Sequence, residues 1–185
     1  MNKEIIKYDL ASPADAEEIA LLHALSWQRH YRNIYSENYL QYQVVEERRK
    51  IWQERFSKEN EDRMIIKVMD LDKIIGFACT FLDEDPTYGA LVDNLHVLSE
   101  YQGNGIGKKL LNKSSEWVMQ CRNDYGIYLY VLAKNYPACA FYKNLGAKMS
   151  EPFLYKNPTG TEDDVIRCSW QATELFQRTG GHSIN

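Results

Sequence analysis

The chain has 185 residues, a formal net charge of −4 and a 26% share of charged residues, which suits one ordinary domain that buries its core without metal or disulfide support. Acids and bases are interleaved and no Lys/Arg-rich run occurs, so the electrostatic footprint of a nucleic-acid binder is missing. No apolar run approaches membrane-spanning length, and the opening MNKEIIKYDL lacks the apolar centre of a secretory leader, so no membrane partner and a cytoplasmic location are expected.

Residues 4–8 are β-prone and predict an opening strand. Ser12, Pro13 and Asp15 then read as a helix start, with serine as cap, proline in the first turn and aspartate closing a capping box. Ala16, Ile19, Ala20, His23, Trp27 and Tyr31 recur at spacings of three and four and trace one helical face. The pattern breaks over 33–36. A second helix is expected over 37–56, with Val44, Val45, Ile51, Trp52 and Phe56 as its apolar side. Residues 64–69 and 74–81 predict a hairpin about a turn at 70–73, and 83–89 a polar turn before a strand over 90–98. A glycine-rich stretch leads into an amphipathic helix reaching about Cys121. The nearly all-apolar run 127–133 has the texture of a strand buried on both faces. A shorter helix over 137–145 and two strands, over 148–155 and 165–170, complete one domain spanning 1–178, and 179–185 form a frayed tail. This order of elements predicts an α/β or α+β domain around one mixed sheet.

The four cysteines, Cys79, Cys121, Cys139 and Cys168, form no CxxC pair and stand near no histidine at ligand spacing. Four reduced, buried thiols and no metal are expected. Thirteen tyrosines and four tryptophans supply rings that line ligand grooves or fill cores.

The most informative segment runs from Leu95 to Lys109. A strand enters a turn with alternating glycines, Gly103, Gly105 and Gly107, and a helix opens at once. Such a turn is an anion cradle: unpaired amides at a helix N-terminus point outward, the helix dipole adds positive potential, and glycine lets backbone approach an oxygen closely. Lys108 and Lys109 add charge at the same end. A Walker loop requires glycine where Gln102 stands and a hydroxyl where Lys109 stands, and a dinucleotide fingerprint requires glycine where Lys108 or Leu110 stands. The pattern that remains is Gln-x-x-Gly-x-Gly, met by Gln102, Gly105 and Gly107. A glycine-rich turn without a ligand is the alternative. About thirty residues on, the apolar strand is followed by Asn135-Tyr136-Pro137-Ala138 and then Phe141-Tyr142 and Gly146.

On these two motifs, in this order and spacing, the chain resembles the GNAT superfamily of N-acetyltransferases over nearly its whole length. The resemblance implies a mixed, mostly antiparallel sheet of about six or seven strands, about four flanking helices, a splayed parallel strand pair, and acetyl-CoA as cosubstrate. The diphosphate is then held by the amides of Gly103, Asn104, Gly105, Ile106, Gly107 and Lys108, with Gln102 shaping the turn. The pantetheine lies along the backbone of Leu95, His96 and Val97, and a backbone N–H near Val97 serves the thioester carbonyl. Asn135, Ala138 and Tyr142 lie against the pantetheine and thioester arm. Tyr142 protonates the departing thiolate, a proton transfer that the reference pKa values of phenol and thiol allow.

The base is less sharply marked. Some members of the superfamily carry a glutamate eleven residues before the loop glutamine, which here is Leu91. Asp93, two residues on and on the same strand face, is the first candidate, directly or through water, with a capped structural carboxylate as its alternative. His96, on the opposite face, ranks second. Trp27, Tyr31 and the helix ending near Trp52 resemble a tryptophan–tyrosine first-helix subgroup in which the first two helices flank the acceptor, so Trp27, Tyr31 and Tyr35 are candidate substrate contacts, with core packing the alternative for Trp27; the acidic pieces 83–85 and 162–164 either attract a cationic acceptor or are solvated loop tips. The acceptor is expected to be a primary amine on a small molecule or peptide, and a homodimer accords with the resembled family. A non-catalytic acyl-CoA-binding module of the same fold is the competing reading, and a nucleotide-binding domain a third.

Overall fold

Strand pairing in the computed structural model starts at the N-terminal edge and runs through the chain; residues 6–32, 35–122, 125–156 and 162–180 are described. The elements are β1 (Lys7–Leu10), α1 (Ala16–His30), α2 (Val44–Ser57), β2 (Arg63–Asp70), β3 (Lys73–Asp85), β4 (Gly89–Val97), α3 (Ile106–Cys121), β5 (Gly126–Leu132), α4 (Tyr136–Asn144), β6 (Lys148–Met149), β7 (Phe153–Lys156), β8 (Glu162–Gln171) and α5 (Ala172–Arg178). The sheet order is β1-β2-β3-β4-β5-β8-β6, with β7 also pairing β8. It is mixed and mostly antiparallel, and β4 and β5 form its parallel pair.

The expected architecture holds, with local corrections. Among the described residues, eight strands and five α-helices stand where six or seven strands and about four helices were expected. The opening strand sits at Lys7–Leu10; residues 4 and 5 lie outside the described residues, as do 33 and 34 of the predicted break and 181–185 of the predicted tail. The second helix is entered through a π-helical turn at Tyr39–Gln43. The expected polar turn at 83–89 is shorter, because β3 continues through Asp85: Asp83 is held by Arg122 Nη2 at 2.5 Å and by the Tyr125 hydroxyl at 2.7 Å. The strand expected over 148–155 divides into β6 and β7, as Pro152 supplies no N–H to a ladder. Beyond β8 the chain forms α5, and Thr179 is buried, its Oγ1 accepting from Asn112 Nδ2 at 3.0 Å. Cys79 and Cys168 are buried, but Cys121 is exposed and Cys139 intermediate.

The chain divides into two compact units, Met1–Cys79 with Asn94–Leu110, and Thr80–Asp93 with Leu111–Asn185. In the first, α1 and α2 bury Ile19, Ala20, Val44 and Trp52, and β2 and β3 bury Val68, Ile74, Ile75 and Phe77. At the start of α1, the Ser12 N–H donates to Asp15 Oδ2 at 2.7 Å, and Lys67 Nζ reaches Asp15 Oδ1 at 2.7 Å. The cap is therefore also tied to β2.

In the second unit β5 is the central strand. It pairs in parallel at Ala90↔Ile127 and Leu91↔Tyr128, and antiparallel with β8 from Gly126↔Gln171 to Leu132↔Val165. Two glycines permit this start: a Cβ on Gly89 would lie 2.2 Å from the Gly126 carbonyl oxygen, and one on Gly126 2.4 Å from that of Tyr88. Ile127 and Leu129 are fully or almost fully buried, while the alternate residues Tyr128 and Tyr130 point to the other face.

Candidate functional site

The glycine turn is built in the first unit by bonds that leave its amides facing outward. Leu98 N–H donates to the Ile75 carbonyl at 2.8 Å, and a 3-10 turn at Ser99–Tyr101 follows. Gln102 Nε2 donates back to the Val97 carbonyl at 3.0 Å, so the glutamine fastens the end of β4 to the loop. The Tyr101 hydroxyl donates to Asp70 Oδ2 at 2.7 Å, and Asn104 Nδ2 to the Tyr101 carbonyl at 3.2 Å. Gly103 and Gly105 have φ of 81° and 78°, the left-handed region that other L-residues enter only with strain. No atom lies within 4 Å of a Cβ added at either position, so glycine is required there by conformation, with open room beside it. The first intrahelical bond runs from the Lys109 N–H to the Gly105 carbonyl at 2.9 Å. The N–H groups of Ile106, Gly107 and Lys108 thus precede the ladder. Ile106 is buried and anchors the turn, whereas Lys108 and Lys109 are exposed. Outward amides, free space and two lysines fit a diphosphate group.

Leu95, His96 and Val97 close β4 and are partly buried. His96 Nδ1 lies 2.8 Å from the Ser26 hydroxyl, and its ring is 4.6 Å from that of His23. Burial, then the charges of His30 and Arg48, push the His96 imidazole down to about 3. Burial, then His96, Arg48 and Arg55, hold His23 well below the usual range. Trp52 Nε1 donates to His23 Nδ1 at 3.1 Å, which leaves the proton of the neutral ring on Nε2. His96 is therefore a neutral hydrogen-bonding group at pH 7 and a weak base.

Trp27, Tyr31 and Tyr35 come together in one ring cluster. Tyr35 stacks on Trp27 at 5.2 Å and Tyr31 meets it edge-on at 4.9 Å. Two members went unread in the sequence. Tyr39 joins the cluster and donates to Glu47 Oε2 at 2.6 Å, and burial followed by that bond raises its hydroxyl to about 12. Arg48, buried in α2, holds its guanidinium 4.2 Å over Trp27 and pairs with Glu47. The fourfold spacing of Trp27, Tyr31, Tyr35 and Tyr39 was a readable signal for the first of these; Arg48 gave none beyond its place between Val44 and Trp52.

In the second unit, Asn135 is the N-cap of α4, and its Oδ1 accepts from the Ala138 N–H at 3.3 Å. Tyr142 is 8% exposed, with its ring 6.2 Å from Trp170. Asp93 is exposed on β4. Beside these, β5 and β7 present a tyrosine cluster unread in the sequence: Tyr128, Tyr130 and Tyr155, with ring separations of 5.5 and 4.9 Å along the series.

A mixed sheet carrying a glycine-rich strand-to-helix turn defines the chain as an α/β protein. The model of the Acetyltransferase (GNAT) family matches residues 24–147, and the chain belongs to that family. Among solved structures, PaiA N-acetyltransferase from Thermoplasma acidophilum in complex with coenzyme A superposes with a TM-score of 0.69 at 23% identity, covering 90% of this chain and 99% of that one. NAA60 from Arabidopsis thaliana in complex with a bisubstrate analogue gives 0.67 at 18% identity, with 90% and 98% covered. A mutant of the spermidine N-acetyltransferase SpeG from Vibrio cholerae gives 0.64 at 20%, with 96% and 99% covered. These likenesses establish the fold.

Proposed function

We propose that this protein transfers an acetyl group from acetyl-CoA to a primary amine of a small molecule or peptide, in the cytoplasm. The observation that carries the reading is the glycine turn: amides ahead of the α3 ladder, positive φ at Gly103 and Gly105, and open space beside both. The Gly103–Lys108 amides grip the diphosphate, Leu95 to Val97 bond the pantetheine arm, and the Val97 N–H meets the carbonyl oxygen as charge develops on it. The amine nitrogen forms a bond to the carbonyl carbon and the carbon–sulfur bond breaks. Tyr142 gives its proton to the leaving sulfur, and the amine's surplus proton leaves through Asp93 or an ordered water. Asn135 and Ala138 line the arm, and Trp27, Tyr31 and Tyr35 flank the acceptor. The free thiols agree with a reducing compartment.

The test is release of free CoA from acetyl-CoA across a panel of amines and peptides, with mass spectrometry of the acetylated product. Tyr142→Phe should lower kcat by about 100-fold with little change in the Kd for CoA. Binding of CoA with no turnover of any acceptor would reduce the protein to a cofactor-binding module. Failure to bind CoA would end the proposal.

A further inference from the structure

The glycine turn depends for its shape on side chains outside it. Gly103 and Gly105 stand in open space at φ of 81° and 78°, and glycine has more backbone freedom to lose than any other residue. A cradle built from such residues grips an anion well only if it is fixed beforehand, because ordering on binding subtracts from affinity. The support comes from the 3-10 turn just ahead of it, Ser99–Tyr101. Each of those three residues is tied to a different element of the first unit. Arg29 of α1 donates to Ser99 Oγ, Lys73 Nζ of β3 lies 3.6 Å from the Glu100 carboxylate, and the Tyr101 hydroxyl donates to Asp70 Oδ2 of β2 at 2.7 Å.

These ties differ in weight. Lys73 and Glu100 are each 57% exposed, and the Arg29–Ser99 bond also lies at the surface, where water competes and a charge pair contributes little. Asp70 is 8% exposed, and its Oδ1 is sealed with no hydrogen-bond partner among the described residues. A buried carboxylate is costly to leave bare, so Asp70 depends on the phenol of Tyr101. The chain also accepts strain beside it. Leu71, next in the hairpin turn, has φ of 53° and is 77% exposed, a left-handed leucine with little burial to offset the cost. A bare oxygen next to a strained residue is the pattern of a site arranged for something other than stability.

Tyr101 passes its placement on to the cradle. Its N–H donates to the Leu98 carbonyl at 2.9 Å, and its own carbonyl accepts at 3.2 Å from the side chain of Asn104, the residue between the two left-handed glycines. We infer that Asp70 is a positioning residue for the cosubstrate: acting through the Tyr101 hydroxyl, it sets the glycine turn in the conformation that presents the Gly103–Lys108 amides to a diphosphate before one arrives. The inference rests on the acetyl-transfer reading and deepens it at the same site.

Calorimetry with CoA, Tm, and amide hydrogen exchange of the ligand-free full chain test it together. Tyr101→Phe should raise the Kd for CoA about tenfold and lower the Tm, since it leaves the Asp70 carboxylate bare. The double variant Asp70→Ala/Tyr101→Phe removes both partners; it should recover much of the Tm while the Kd stays about tenfold high. Asp70→Asn keeps an oxygen for the phenol and should hold the Kd within about threefold of the wild type. Without CoA, exchange at the first ladder amide, Lys109, should quicken about tenfold in Tyr101→Phe and in the double variant, with β5 unchanged. An unchanged Kd in Tyr101→Phe, a Kd that recovers along with the Tm in the double variant, or unaltered exchange at Lys109 would overturn the inference. A wild type that binds no CoA yet shows the exchange effect would instead remove the acetyl-transfer reading and leave Asp70 as the support of the turn.

Discussion

Acid should unfold this protein through two histidines before its carboxylates titrate. His23 is 2% exposed, its Nδ1 is occupied by Trp52 Nε1–H at 3.1 Å, and His96 lies 4.6 Å away with Arg48 acting on both rings. A proton on either ring would place a cation beside another in a site that solvates neither. An unfolded histidine titrates near 6.5, whereas His96 is held at about 3 and His23 well below its ordinary value. The sign follows directly. Above about pH 6.5 both states are neutral and the full stability is present; as pH falls, the unfolded chain binds protons that the folded chain refuses, and stability is lost down to the folded values. Between about pH 7.5 and 5 each histidine costs the fold about 2 kcal/mol, and the pair about 4 kcal/mol. With an m-value of about 2 kcal/mol/M in urea, the midpoint should fall by about 2 M. Urea titrations followed by tryptophan fluorescence at the two pH values measure this. The window excludes Asp15 and Asp83, whose pKa values are lowered and which matter only below about pH 4. Coincident midpoints at the two pH values, or an undiminished fall in a His23→Gln/His96→Gln double variant, would refute the reasoning.

Gly105→Ala should raise the Kd for CoA about tenfold by calorimetry, since φ of 78° costs alanine about 1–2 kcal/mol; Gly105→Asn, which tolerates that region better, should lose less. Asn135→Ala removes the α4 cap and should lower stability by about 1 kcal/mol, or roughly 2–4 °C in Tm by scanning calorimetry, with Asn135→Asp retaining most of it. A thiol reagent should label exposed Cys121 first, while buried Cys168, whose thiol burial pushes up to about 12, and fully buried Cys79 resist until the protein unfolds.

The features legible in the sequence were those whose chemistry is carried by spacing. Within the Gln102, Gly105, Gly107 pattern, Gly105 announces a left-handed backbone and has it, with φ of 78°, while Gly107 falls in the first turn of α3. The stripe of Ile19, Ala20 and His23 announces a buried helical face, and those residues are buried. What escaped depends on partners distant in the chain. The seven-residue α5 is too short to nucleate alone and is tied to α3 through Asn112, whose Nδ2 donates to the Phe176 carbonyl at 3.2 Å and to Thr179 Oγ1. Three consecutive acids read as a turn, but Arg122, thirty-nine residues away, keeps Asp83 in a strand. The π-helical turn at Tyr39–Gln43 inserts one residue into a helix without altering its composition. Pro152, by contrast, was a visible signal for dividing the last hairpin arm.

Arg48 shows how a residue that breaks the expected pattern organises the region around it. It occupies the apolar stripe of α2 between Val44 and Trp52, one helical turn from each, and is 6% exposed. A guanidinium there needs compensation. Glu47 supplies opposite charge, the Trp27 ring supplies a π-face at 4.2 Å, and Nε has no hydrogen-bond partner among the described residues. Its charge acts in turn on His23 and His96, helping to keep both imidazoles neutral. The helix that orders the Trp27 and Tyr39 cluster thus also disfavours a second cation beside it.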